Sequence, residues 1–266
     1  MRQRILSALL LSPLLAIVWF GNSWTFALLA GIIALLGIRE FYNLVARPSG
    51  QPLFLLGFLF TSLFITNAYF HPYFDYIYTA PLFAAAVVFP LLWLLFRFPR
   101  EEAFIYWAWI LVGMLYVGWL LSYYVALRGL DQGRDWVFLV LLSTFACDTA
   151  AFFVGRAWGR RPLAPTISPR KTWEGAVGGF MAALAATVIL HTLLNITDLN
   201  YAYIIPLGCL IGVFAQLGDL SESLLKRRAG VKDSGRLIPG HGGILDRMDS
   251  LVFTGIIVYY YVIWMV

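Results

Sequence analysis

Charge is what this 266-residue chain has least of. Asp, Glu, Lys and Arg together make up 12% of it, against 61% hydrophobic residues. A soluble domain carries about a quarter charged residues, so a water-facing fold is excluded by composition. Cysteine is nearly absent as well: Cys147 and Cys209 both lie in apolar stretches without a pairing pattern. That excludes a disulfide framework or a zinc site and leaves two buried thiols. There is no low-complexity tract, and no internal repeat strong enough to suggest an inverted-repeat transporter.

What the chain has instead is apolar runs near 20 residues long, the length that crosses a bilayer as a helix. Windows between turn and charge clusters predict nine spans, at about 5–20, 24–45, 52–70, 76–96, 103–127, 136–154, 173–194, 201–224 and 250–266. The expected fold is therefore all-α, a polytopic transmembrane helical bundle. Residues 1–135 are expected to anchor the chain and 136–266 to form the catalytic region. The charged start Arg2 to Arg4 and the apolar run to Phe20 could suggest a signal peptide. No small-x-small cleavage site follows, so a retained first span is expected.

Orientation follows from the basic residues, because loops on the cytoplasmic side carry the excess of Lys and Arg. With nine spans, 17 of the 19 basic residues fall on one side, and only Arg128 and Arg134 fall on the other. The N-terminus and the large polar loops are expected to be cytoplasmic. The net charge of +5 is accounted for by this pattern and by anionic lipid, so no nucleic-acid partner is expected. Trp19, Trp24, Tyr69, Tyr78, Trp93, Trp107, Tyr123 and Trp136 cluster near span ends, as interfacial anchors do.

Acids of the first half, Glu40 among them, fall in loops or at span ends and read as solvated charge. The second half differs: Asp148, Glu174, Asp219 and Glu222 lie inside or at the margin of apolar segments. An ionisable group there is expensive and points to function. Asp148 lies late in the sixth span, towards the cytoplasmic side, where a buried pair with an arginine is the alternative to a metal-binding role. On a helix, Asp219, Glu222 and Lys226 would share one face at i, i+3 and i+7, and Asp246 and Asp249 would share another. Carboxylates from two helix ends suit magnesium, which takes one or two of them and completes its shell with water and substrate phosphate.

Between those helix ends runs Pro239-Gly240-His241-Gly242-Gly243. Its glycines permit close backbone approach, and successive amides beside a helix N-terminus can cradle a phosphate. A plain glycine turn is the alternative, weakened by the flanking Lys, Arg and Asp. His241 reads equally as a base or as a hydrogen-bonding group of the turn. A second cluster, Ser168-Pro169-Arg170-Lys171-Thr172-Trp173-Glu174-Gly175, opens the seventh span; Ser168 followed by proline predicts an N-cap and first helical residue. Ordinary positive-inside flanking would account for Arg170 and Lys171 but not for Glu174. All three lysines, Lys171, Lys226 and Lys232, lie in these two clusters.

The stretch 223–249, SLLKRRAGVKDSGRLIPGHGGILDRMD, resembles the signature of the phosphatidate cytidylyltransferase (CDP-diacylglycerol synthase) family. It matches at the fixed Lys-Arg, Lys-Asp, Pro-x-His-Gly-Gly and Asp-Arg-x-Asp elements, without a departure. Residues 168–175 and the segment around Asp148 are similar to that family too, whereas the N-terminal half matches only in general character. The resemblance implies a magnesium-dependent reaction of CTP with phosphatidic acid, giving CDP-diacylglycerol and pyrophosphate, in a polytopic homodimer of the cytoplasmic membrane. One metal or two stays open.

Carried over by residue, Asp219 and Asp246 match metal-holding acids, with Asp249 beside them and Asp148 as a further candidate. Lys226, Arg227, Lys232, His241 and Arg247 match positions lining the nucleotide and phosphate site, and Asp233, Gly242 and Gly243 belong to the same signature. Asp246, Asp219 and Lys226 are the expected catalytic groups. Ser221 and Ser223 are expected to be structural or to hydrogen-bond phosphate, because neither has a neighbouring histidine base. The competing readings are a CTP-dependent lipid kinase and a cation-coupled transporter. The transporter would explain the intramembrane acids but not the basic glycine-rich loop.

Overall fold

The computed structural model describes residues 15–45, 51–70, 78–96, 100–196, 200–235, 237 and 242–265. Helix α1 is Ser23–Val45, α2 Gln51–Phe70 and α3 Thr79–Leu95. Helix α4 joins α-helical Arg100–Gly113 to Leu120–Arg128 through a π-helical segment, Met114–Trp119. Then come α5 (Gly133–Trp158), the strands β1 (Pro162–Ala164) and β2 (Ser168–Thr172), α6 (Trp173–Leu193), α7 (Tyr201–Arg228) and α8 (Leu245–Met265).

Six described helices are long and apolar enough to cross a membrane, and α2 and α3 contribute shorter apolar helices. Each predicted span from the second to the ninth coincides with a described helix. For the first span, residues 15–20 are helical and residues 1–14, with Arg2 and Arg4, lie outside the described residues.

Local chemistry sets the ends of these helices. The Asn200 side chain accepts from Ala202 N–H at the start of α7. At its far end Gly230, at φ +69°, reverses the chain while Val231 N–H donates to the Lys226 carbonyl at 3.0 Å. That left-handed glycine stop lets α7 run one turn past its apolar stretch. Lys226, Arg227 and Arg228 fill that last turn, where cations complement the helix dipole.

Among the described residues the elements are helical except for one hairpin. Residues 168–172 do not begin a helix with Ser168 as its cap; they pair antiparallel with β1 in a two-stranded hairpin. The helix starts instead at Trp173, and the Thr172 side chain caps it by accepting from Gly175 N–H at 3.2 Å. Pro169 is compatible with this because a two-stranded ladder has only edge strands, where a missing N–H costs little. Arg170 and Lys171 thus come from a strand.

The chain divides into two compact units. One comprises Met1–Leu130 with Asp233–Asp246, the other Asp131–Lys232 with Arg247–Val266. In the first, α1, α2 and α4 pack around a core that includes Phe41, Tyr42, Phe64 and Met114, all essentially inaccessible. The Tyr42 hydroxyl donates to the Ile110 carbonyl at 3.0 Å, next to the π-helical segment. In the second unit, α5 packs against α6 and α7 through small residues. A methyl on Gly175 would come within 2.7 Å of the Ala151 carbonyl oxygen, and one on Gly179 within 2.8 Å of that of Cys147. Such close approach is how membrane helices gain packing energy without a hydrophobic drive between them.

Candidate active site

In the second unit, β2 and α7 bring the two predicted clusters together. Lys171 Nζ lies 2.6 Å from Asp219 Oδ2, with both side chains partly exposed. They face a cavity of about 480 Å³, within the range of small-ligand sites. Its polar lining consists of Asp148, Arg156, Arg170, Lys171, Thr172, Gln216 and Asp219. Three cations therefore converge on one concavity that also holds two carboxylates.

Asp249 belongs to the same group. Asp148, Asp219 and Asp249 are close enough for their charges to repel. Asp219 and Asp249 come together because α7 and α8 touch at Gly218, where a methyl group would collide with the Asp249 carbonyl oxygen. Ser250 fixes two of the acids: its hydroxyl donates to Asp148 Oδ1 at 3.2 Å and its N–H to Asp249 Oδ1 at 2.7 Å. One turn beyond Asp219, the fully buried Glu222 accepts from Lys226 Nζ at 2.8 Å and also reaches the Asp249 carboxyl. The predicted face of Asp219, Glu222 and Lys226 is therefore divided: Asp219 pairs with Lys171, and Glu222 pairs with Lys226. Ser223 is buried on α7.

Other predicted residues hold backbone. Glu174 Oε2 accepts from Arg160 and Arg161 N–H at 3.0 and 3.2 Å, closing the turn between α5 and β1. Arg227 Nε donates to the Ile167 carbonyl at 3.0 Å, tying the hairpin turn to the end of α7. Arg247 is exposed on α8 and Lys232 on the segment after α7.

Within the first unit, Asp246 Oδ2 accepts from Ser234 N–H (2.9 Å), Gly243 N–H (2.8 Å) and the Ser234 hydroxyl (2.9 Å). The Gly243 amide is thus given to a carboxylate. Gly242 is at φ +83°, and a methyl there would approach Asp246 Oδ2 to 2.6 Å and the Asp233 Cβ to 3.7 Å. His241 lies outside the described residues.

Sequence inspection overlooked Gln216, Arg156, Thr172, Ser250 and Glu40. Gln216, inside an apolar helix, was a visible signal; its Nε2 donates to the Ala176 and Gly212 carbonyls at 3.0 and 2.9 Å. Glu40 had none, because its position at a span end resembles that of ordinary solvated charge.

Among the described residues no group of three His, Cys, Asp or Glu side chains is arranged to hold a metal by itself. The neighbouring carboxylates of Asp148, Asp219 and Asp249 are hard oxygen donors of the kind magnesium takes.

Comparison with known proteins accords with this chemistry. The model of the cytidylyltransferase family matches residues 2–265. A phosphatidate cytidylyltransferase of Synechocystis is 34% identical over 98% of this chain and 96% of its own length. One from Haemophilus influenzae is 35% identical over 94% of each. One from Bacillus subtilis is 42% identical over 54% of each, so this chain spans about half the length of that relative. With the match running almost from end to end, the chain belongs to the cytidylyltransferase family.

Proposed function

We propose that this protein transfers the cytidylyl group of CTP to phosphatidic acid, releasing pyrophosphate. The observation that carries the proposal is the cavity in which Arg156, Arg170 and Lys171 converge beside Asp148 and Asp219. Its guest must be polyanionic, and the names of the full-length relatives supply CTP and phosphatidate.

In the reaction an oxygen of the lipid phosphate attacks the α-phosphorus of CTP. A bond forms between them as the bond to the bridging oxygen of the β-phosphate breaks, and the electron pair leaves with pyrophosphate. No covalent nucleophile on the protein is needed, so positioning and charge neutralisation dominate. Arg156, Arg170 and Lys171 hold phosphate oxygens in the cavity. An entering phosphate replaces Asp219 as the partner of Lys171, which frees that carboxylate. Lys226, with Glu222 beside it, keeps its ammonium group at the cytoplasmic end of α7. Asp148, Asp219 and Asp249 in the second unit, and Asp246 in the first, are the acids that would hold magnesium, which when bound would supply neutralising charge to the triphosphate.

The same proposal places nine spans, the N-terminus and the active site relative to the cytoplasm of a cell bounded by this membrane. The Arg128 guanidinium donates to the Gly21 carbonyl at 2.8 Å, so the first turn and the end of α4 share a side. Glu40, near the end of α1, accepts from Leu245 N–H at 2.9 Å at the start of α8. Both pairings agree with the parity that puts 17 of 19 basic residues inside. The homodimer implied by family resemblance is part of this proposal, and light scattering on the detergent-solubilised protein tests it.

The central experiment incubates purified protein with labelled CTP and phosphatidic acid in mixed micelles. Pyrophosphate and CDP-diacylglycerol should form, cease with a chelator and return with added magnesium. Release of CDP with a phosphorylated alcohol would identify a lipid kinase instead.

A further inference from the structure

Glu40 is the one carboxylate of α1, next to Arg39, and it is buried, with 8% of its surface accessible. Burying such a charge is costly unless hydrogen bonds compensate, and the structure supplies them from 194 and 205 residues away. Glu40 Oε2 accepts from the Ser234 hydroxyl at 3.1 Å and from Leu245 N–H at 2.9 Å. Leu245 is the first residue of α8, so its amide is one of the donors that a helix leaves without an internal partner. A negative group there also complements the positive end of the helix dipole.

Ser234 connects this carboxylate to a second one. Its hydroxyl lies 3.1 Å from Glu40 Oε2 and 2.9 Å from Asp246 Oδ2, and it accepts from Asp246 N–H at 3.3 Å. Asp246 Oδ2 thus receives N–H bonds from Ser234 and Gly243, and the single Ser234 hydroxyl proton is shared between it and Glu40 Oε2. Two glycines make room for the arrangement. A methyl on Gly235 would collide with Glu40 Oε1, and one on Gly243 with Glu40 Oε2 and the Ser234 hydroxyl. A side chain at 235 or 243 would therefore have to displace the Glu40 carboxylate from this place.

We infer that Glu40 is a positioning residue for cytidylyl transfer: from α1 it clamps Ser234 and the first amide of α8, and so holds Asp246 in a single orientation. The inference rests on the proposed role of Asp246 in the reaction. Side chains that orient a metal- or substrate-binding group typically affect activity by about 10- to 100-fold when removed, because a loosened acid must be ordered again in each transition state.

The test uses the purified full-length chain and four variants, Glu40→Leu, Glu40→Gln, Ser234→Ala and Asp246→Asn, with turnover scaled to folded protein by size exclusion. Glu40→Leu should lower kcat by about 10- to 100-fold with both KM values within about threefold of the parent. Glu40→Gln keeps an acceptor oxygen and should recover part of the loss. Amide hydrogen exchange without substrate should accelerate at Ser234, Gly243 and Leu245 in Glu40→Leu and stay unchanged in α5 to α7.

If Glu40→Leu does not fold, Ser234→Ala breaks the same linkage from the loop. It should show the same kcat loss, and combining it with Glu40→Gln should cost less than the product of the two. Parent-like kcat and exchange in Glu40→Leu, or in Ser234→Ala where only that variant folds, overturn the inference while an inactive Asp246→Asn upholds the role of Asp246. An active Asp246→Asn removes that role and this inference with it.

Discussion

Lys171, on a short strand, and Asp219, on a long helix, meet at 2.6 Å in the lining of one cavity. They are 48 positions apart in sequence and belong to two clusters that each looked like a phosphate site. Each neutralises the other in this structure. The pair is partly exposed, so screening keeps its contribution to stability small. Under the proposed function, the pair keeps a cation and an acid ready at one point.

Replacing Lys171 with Ala should therefore leave the protein folded and lower kcat/KM for CTP by about 100-fold, the scale for losing one preorganised charge partner. Steady-state kinetics and a thermal unfolding trace on the same preparation check both halves. Near-normal turnover would show that the phosphates bind elsewhere.

Asp246→Asn keeps the size of the side chain but weakens the acceptor that gathers Ser234 and Gly243. Turnover should be abolished while membrane insertion and elution volume stay unchanged. The measurement is pyrophosphate release per folded protein, and retained activity would end the role assigned to this acid.

Lys226→Met should lower the apparent Tm in detergent, because it leaves the fully buried Glu222 without its 2.8 Å partner. Breaking a buried pair from one side costs about 3–5 kcal/mol. The double variant Lys226→Met, Glu222→Gln should recover much of that stability but not activity. A single variant as stable as the parent would mean that Glu222 finds another cation.

Gly218→Ala introduces a methyl against the Asp249 carbonyl oxygen, a backbone atom that cannot rotate away. Helices α7 and α8 must then separate, and Asp219 and Asp249 with them. Activity should fall by at least about tenfold, as misplacing reacting groups by an ångström does. Expression should persist, since the clash is local. Full activity in this variant would show that the two acids need not adjoin.

Much of the protein is legible in the chain. Apolar run length predicts each described helix from α1 onwards, and six of them are long and apolar enough to cross a membrane. The isolated acids of the second half point to a candidate site, because charge near lipid is costly and by default suggests function. Residues 223–249 point to the family without any structure. Local signals were weaker where two residues offered the same chemistry. Ser168 and Thr172 can both cap a helix, and strand pairing with Pro162 decided for Thr172.

Partnership between distant residues was not legible at all. Nothing in sequence distinguishes Glu40 from a solvated charge at a span end, or says that Glu222 rather than Asp219 takes Lys226. Periodicity reports which face of its own helix a side chain occupies, but not which other helix that face meets. Sequence by itself determined a helical protein with several helices long and apolar enough to cross a membrane, and its family. Only the tertiary structure decided which acid pairs with which base, because hydrogen bonds and ion pairs act over about 3 Å in space and take no account of separation along the chain.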